Sequence, residues 1–204
     1  MDAKQHWDTV HAAKRPQELS WYQRVPAVSL RMIDAAALPE DACLIDVGGG
    51  ASTLVDALLD RGYSRVSVLD VSAVALGTAK ARLGPRAQRV EWLEGNILEA
   101  GLPPSRFDLW HDRAVFHFLT DAPERTAYVE VAAAAIRPGG HLLLSTFADD
   151  GPERCSGLPV VRYDLHGLTA ELGERFRAVE QERVEHVTPG GGLQRFICAR
   201  FVRV

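Results

Sequence analysis

Two groups of residues in this chain have types and spacings that suggest chemistry. The first is LIDVGGGAST, Leu44 to Thr53, where an apolar run ends in Asp46 and Gly48, Gly49 and Gly50 follow in succession. Glycine has no Cβ, so three in a row allow a tight turn and the close approach of a ligand to the backbone. A helix starting near Ser52 would add a partial positive charge. A dinucleotide site wants Gly-x-Gly-x-x-Gly with the pyrophosphate on that helix end. Counted from Gly48, the sixth position here is Thr53. Asp46 would oppose a pyrophosphate and suits a ligand with a cationic amine. Asp70 lies 22 positions after Gly48 (70 − 48), where a carboxylate can accept both hydroxyls of a ribose. The second group is Asp112, Arg113 and His117 in HDRAVFHF. It combines an acid, a fixed cation and an imidazole whose ordinary pKa lies near neutrality and which could take a proton from an acceptor.

These side chains need a frame, and the chain supplies one. From about Ala42, strand-like and helix-like stretches alternate. Strands are predicted at 43–47, 65–71, 89–95, 107–112 and 141–147. Helices are predicted at 52–62, at 72–83 with Ser72 as N-cap, at 121–136 before RPGG, and at 165–173. Two closing strands flank TPGGG, Thr188 to Gly192. Such alternation predicts parallel strands joined by crossover helices on both faces. The two strands close together at the end predict a terminal antiparallel hairpin. The fold class is therefore α/β, a doubly wound sheet of seven mostly parallel strands. Residues 1–40 form an N-terminal helical cap, residues 41–204 the core, and the whole one domain.

In order along the chain, DVGGGAST, Asp70-Val71-Ser72, EGNI (Glu94 to Ile97) and IRPGGHLLLS resemble the motifs of class I S-adenosylmethionine-dependent methyltransferases, over about Leu44 to Thr146. The resemblance implies a Rossmann-like sheet that binds S-adenosylmethionine, and DVGGGAST fits that ligand better than NAD. It makes Asp46, Gly48, Gly49, Gly50, Asp70, Val71, Asn96, Ile97 and Asp112 cofactor-binding residues. In that family an acidic residue commonly follows the glycine of EGNI and binds the adenine amino group. Asn96 stands there, and its amide oxygen can accept from the same amine. Trp21, in SWYQRVP, joins them as a ring that would exclude water from a sulfonium. The strand end at Asp112 faces the methyl group in the family, so Asp112, Arg113 and His117 are the catalytic candidates. The loop, with Arg125 and Tyr128, resembles the thiopurine methyltransferase branch, and a similar acidic-basic pair occurs in some protein lysine methyltransferases. Asp112 and Arg113 could instead form a salt bridge that ties the loop to the sheet, and His117 could simply be packed.

The expected activity is methylation of a small-molecule acceptor, first a thiol or other soft nucleophile. The alternatives are a protein lysine methyltransferase and a non-catalytic module that binds S-adenosylmethionine or a nucleotide. A net charge of −4 over 204 residues argues against a nucleic-acid partner, whose binding domains tend to be basic. Three cysteines without CxxC spacing predict neither a disulfide framework nor a metal site. The N-terminal stretch lacks the apolar segment of a signal peptide, and no apolar run is long enough to span a bilayer. The expected location is cytoplasmic.

Overall fold

The computed structural model describes residues 2–204. In chain order the main strands are β1 (Cys43–Val47), β2 (Arg65–Asp70), β3 (Val90–Glu94), β4 (Phe107–Arg113), β5 (Ile136–Phe147), β6 (Phe176–Val187) and β7 (Leu193–Arg203). They lie in one sheet in the order β3-β2-β1-β4-β5-β7-β6. β1 to β5 are parallel, and β7 runs antiparallel to both of its neighbours. Strand order reverses between β1 and β4, which makes the cleft beyond their carboxyl ends the place for a ligand in an open sheet.

Helices α1 (Ala3–Ala13) and α2 (Ala27–Asp34) precede the sheet, and α3 (Leu54–Asp60), α4 (Ala73–Leu83), α5 (Ala122–Ala135) and α6 (Leu165–Leu172) connect its strands. Leu30 and Ile33 of α2, Leu54 and Leu58 of α3, and Leu76 of α4 pack on one sheet face with Leu44, Val68 and Leu109. Tyr128 and Ala132 of α5 and Leu168 of α6 pack on the other with Ile45, Trp110 and Leu142. Neighbouring residues of a strand therefore point into different layers. All five residues of β1 are buried, as befits a parallel strand covered on both faces. Ser72 caps α4, its hydroxyl accepting from the Ala75 N–H at 3.1 Å.

Two stretches differ from the sequence expectation. β5 starts at Ile136 and not at His141. Pro138 cannot continue a helix and pushes Arg137 out of the helical region, so the chain turns extended at Ile136. That residue pairs with Phe107 before a register shift on β4. The loop after β5 also contains a short antiparallel ladder, Arg154–Cys155 against Leu158–Pro159. It folds back toward the carboxyl edge of the sheet and carries Cys155 to the cleft. Among the described residues no helix is long and apolar enough to cross a membrane.

Candidate functional site

The glycine turn after β1 is compact for steric reasons. Gly48 has φ +66°, and a Cβ there would overlap the Val115 side chain. A Cβ on Gly49 would lie 2.6 Å from Asp46 Oδ2, and one on Gly50 2.6 Å from Asp70 Oδ2. The Gly48 and Gly49 N–H groups both donate to the Leu69 carbonyl, at 2.7 and 3.3 Å. Those two amides are thus turned into the sheet and are not offered to a phosphate. Arg82 of α4 holds the outside of the turn, donating to the carbonyls of Ala51 at 2.8 Å and Ser52 at 2.6 Å.

Two cavities open against this turn. The larger, about 420 Å³, is bordered by Asp70, Val71, Asn96, Ile97, Trp7, Phe118 and Cys155. The smaller, about 70 Å³, is bordered by Asp46, Gly48, Gly49, Gly50, Ser29 and His111. His11, Trp21, Gly48, Asp70 and Arg113 border both, so they surround the junction.

Strand alternation places the charges. Asp46 and His111 are direct cross-strand partners of β1 and β4, on the face covered by α2 and α3. His111 Nδ1 lies 2.7 Å from Asp46 Oδ1, and His111 Nε2 lies 2.8 Å from Ser29 Oγ on α2. Asp46 Oδ2 is buried and has no hydrogen-bond partner among the described residues. A buried carboxylate oxygen left in that state is costly unless a donor or cation meets it. Asp70 ends β2 with one oxygen accepting from the Ser72 N–H at 2.8 Å. Burial pushes its carboxyl up to about 7; the Ser72 N–H opposes this and the Asp46 charge adds to it. Asn96 uses its side-chain oxygen to cap the short turn after β3, accepting from the Leu98 N–H at 3.1 Å. Asn96 also borders the larger cavity.

The three expected catalytic residues separate. Arg113 stays at the junction. Its Nη1 donates to the Trp21 carbonyl at 3.0 Å and its guanidinium lies 4.7 Å from the centre of the Phe196 ring. Burial lowers its pKa below the usual arginine value. Asp112, the preceding residue, points into the opposite layer and borders neither cavity. It is fully buried and accepts from the Tyr128 hydroxyl at 2.5 Å and from the N–H groups of Val115 at 2.9 Å and Phe116 at 3.1 Å. The expected roles of Asp112 in cofactor binding and catalysis, and the Asp112–Arg113 salt bridge, therefore do not hold, because adjacent strand residues face opposite ways. His117 is also fully buried, among Phe118 and Phe147, and its Nδ1 accepts from the Phe147 N–H at 3.3 Å. Burial lowers its pKa to about 3, and it borders neither cavity. It is a core residue and not the base. Arg125 pairs with Glu171 at 2.7 Å, and Tyr128 is sealed in the core beside Asp112.

Asp112 is thus the post on which the loop after β4 hangs. Asp112→Ala is expected to leave three donors without an acceptor and to destabilise the protein by about 3–5 kcal/mol. Thermal unfolding of the variant checks this, with a Tm lower by roughly 6–20 °C at about 2–4 °C per kcal/mol.

Among the cavity-lining residues outside the sequence expectation are Trp7, His11, Ser29 and His111. Trp7 and His11 sit four apart on α1, so both point to one helix face. His111 lies two before Arg113, hence on the same strand face. Those spacings were the available signals.

Residues 44–140 match the family model described as a methyltransferase domain. The chain is 29% identical over 120 residues to the ubiquinone/menaquinone biosynthesis C-methyltransferase UbiE of Paracoccus denitrificans, covering 57% of this chain and 47% of that protein. It is 29% identical over 164 residues to the malonyl-[acyl-carrier protein] O-methyltransferase of Prosthecochloris aestuarii, covering 76% and 59%. The chain thus spans about half to three-fifths of the length of these curated relatives. Among solved structures, the fold resembles that of the N-methyltransferase NodS from Bradyrhizobium japonicum, with a TM-score of 0.69, 19% identity and coverage of 100% and 99%. It also resembles the protein of the disulfide-to-thioacetal conversion in echinomycin biosynthesis, with a TM-score of 0.77, 19% identity and coverage of 99% and 92%. Sheet order, glycine turn and strand-end carboxylate agree with the methyltransferase-domain match over residues 44–140, and together they indicate a class I S-adenosylmethionine-dependent methyltransferase.

Proposed function

We propose that this protein transfers the methyl group of S-adenosylmethionine to a small-molecule acceptor, first a thiol or another soft nucleophile. The observation that carries the reading is the meeting of two cavities at the glycine turn, with an unpartnered carboxylate oxygen in the smaller and a second carboxylate between them. The residues fit the donor. Asp46 Oδ2 offers a buried acceptor for an ammonium group, Asp70 offers acceptors for ribose hydroxyls, and Val71, Asn96 and Ile97 border the space for an adenine. When bound, the donor supplies an activated methyl group on a sulfonium, which leaves alignment and exclusion of water to the protein.

Trp7 provides much of that exclusion, its ring edge-on to Trp21 at 5.7 Å and to Phe118 at 5.1 Å. Arg113 brings a fixed cation to the junction. A thiol with an ordinary pKa near 8.5 ionises more readily beside such a charge. Burial holds the Cys155 thiol up at about 11, so this residue is a neutral wall and not a competing nucleophile. Asp70 and Glu124 are the acidic residues that border the larger cavity, which favours a small acceptor over a lysine-bearing protein in an acidic trough. The quinone-pathway relative points the same way. A screen with methyl-labelled donor and a panel of alkyl and aryl thiols, phenols, amines and a lysine peptide tests this. Transfer to thiols is expected. Transfer to the lysine peptide alone would overturn the small-molecule reading, and binding without transfer to any acceptor would favour a non-catalytic module.

A further inference from the structure

Resting on the methyl-transfer reading, we infer that His11, which α1 holds over the cavity junction, is the base that takes the acceptor's proton. His11 borders both cavities, and it is the histidine that borders the larger one. His111, His117, His141 and His186 each have a ring nitrogen within hydrogen-bond distance of a protein group. The His11 ring is instead positioned by aromatic contacts, edge-on to Trp21 at 5.8 Å and tilted against Trp7 at 6.4 Å.

The helix that carries it has no buried residue, so α1 contributes little to either core. It is nevertheless pinned in place. Asp8 accepts from the Ser72 hydroxyl at 2.7 Å and the Val74 N–H at 3.4 Å, and Lys4 pairs with Glu94 at 2.9 Å. Both anchors sit just beyond β2 and at the end of β3, beside Asp70, so the tether sets the height of His11 over the junction. Of the other polar groups there, Arg113 is a cation and Cys155 a neutral thiol, Asp46 and Asp70 would be taken up by the donor's ammonium group and ribose, and Glu124 is exposed to solvent.

Burial lowers the His11 pKa below its ordinary value, with Asp8 on the same helix opposing the shift. The imidazole is therefore neutral near pH 7 and has a lone pair to offer. The charged groups across the cavities are Asp46, Asp70, Arg113 and Glu124. As an acceptor X–H reacts, its proton passes to a His11 ring nitrogen, and the X lone pair forms the new bond to the methyl carbon. The carbon–sulfur electron pair stays on sulfur, which becomes a neutral thioether. The imidazolium then gives its proton to water.

The test is an NMR titration of the histidine rings in the full chain, with His11 assigned by comparison with His11→Asn. Samples are saturated with either S-adenosylmethionine or S-adenosylhomocysteine, which differ by one methyl group and one positive charge. A like charge close by disfavours the imidazolium, so the His11 midpoint is expected about one pH unit or more lower with S-adenosylmethionine. Equal midpoints in the two complexes would overturn the assignment. A kinetic arm uses two probes at pH 8: phenol, which is mostly protonated, and thiophenol, which is mostly ionised. His11→Asn is expected to lose roughly a hundredfold or more in turnover of phenol and little with thiophenol, with affinity for S-adenosylhomocysteine unchanged. Equal losses on both probes would mark His11 as structural and overturn the inference. Failure of the unaltered protein to bind either nucleoside in calorimetry would instead sink the methyl-transfer reading itself.

Discussion

Asp70→Ala is expected to weaken S-adenosylhomocysteine binding by roughly a hundredfold to ten-thousandfold, as two hydrogen bonds to a carboxylate at about 1.5–3 kcal/mol each imply. Calorimetry on the parent and the variant measures it, and an unchanged affinity would make Asp70 only the cap that accepts from Ser72. The same carboxylate links binding to pH. Its pKa is raised to about 7 by burial, and the ionised form is the better acceptor of hydroxyl protons. Affinity is therefore expected to rise as pH increases through about 7. Stability runs the other way. The folded pKa lies above the unfolded value of about 3.9, so the native state holds more protons between those limits and stability falls as pH rises from about 4 to about 7. Asp70→Asn keeps an acceptor for the Ser72 N–H and removes the buried charge. Its Tm should exceed the parent's at pH 8, and this advantage should be gone at pH 4. A variant less stable than the parent at pH 8 would show that the charge is compensated in the free protein.

Gly48→Ala should damage fold and site together. The residue sits at φ +66° and its new methyl would overlap Val115. Left-handed backbone strain and overpacking together should cost about 2–5 kcal/mol. Because Gly48 borders both cavities, pushing Val115 aside also deforms the junction, and binding of S-adenosylhomocysteine should fall by more than tenfold even where the protein remains folded. Gly77→Ala is the matched control. A Cβ at Gly77, mid-helix in α4, meets nothing within 4 Å, so this change should stabilise by about 0.5–1 kcal/mol. Parallel thermal melts of the two variants would detect the difference. Similar Tm values would mean that the turn relaxes freely.

The sheet, its crossover helices and the closing hairpin were legible because strands such as β1 are short apolar runs that end at a glycine or a cap, and Thr188 to Gly192 separates the last two strands. The glycine turn and Asp70 were legible because backbone geometry and strand ends leave marks in residue type. The side chains of β4 were not. FDLWHDR is buried on both faces, so no polar-apolar alternation tells which of Asp112 and Arg113 faces the cavities. Tertiary contacts fix the parity, among them the pairing of His111 with Asp46, residues 65 positions apart. His117 looked reactive in sequence because nothing local announced that Phe118 and Phe147 would enclose it. The cap is hard to read for a different reason: no residue of α1 is fully buried, so its sequence carries no core-packing signature, although His11 borders both cavities.

Calorimetric titration of the full chain with S-adenosylhomocysteine and, separately, with NAD tests the central claim most directly. A junction built from Asp46, Asp70 and a glycine turn whose first two amides face inward should bind S-adenosylhomocysteine at one site per chain and give no heat with NAD. Saturable NAD binding with no heat from S-adenosylhomocysteine would contradict the account.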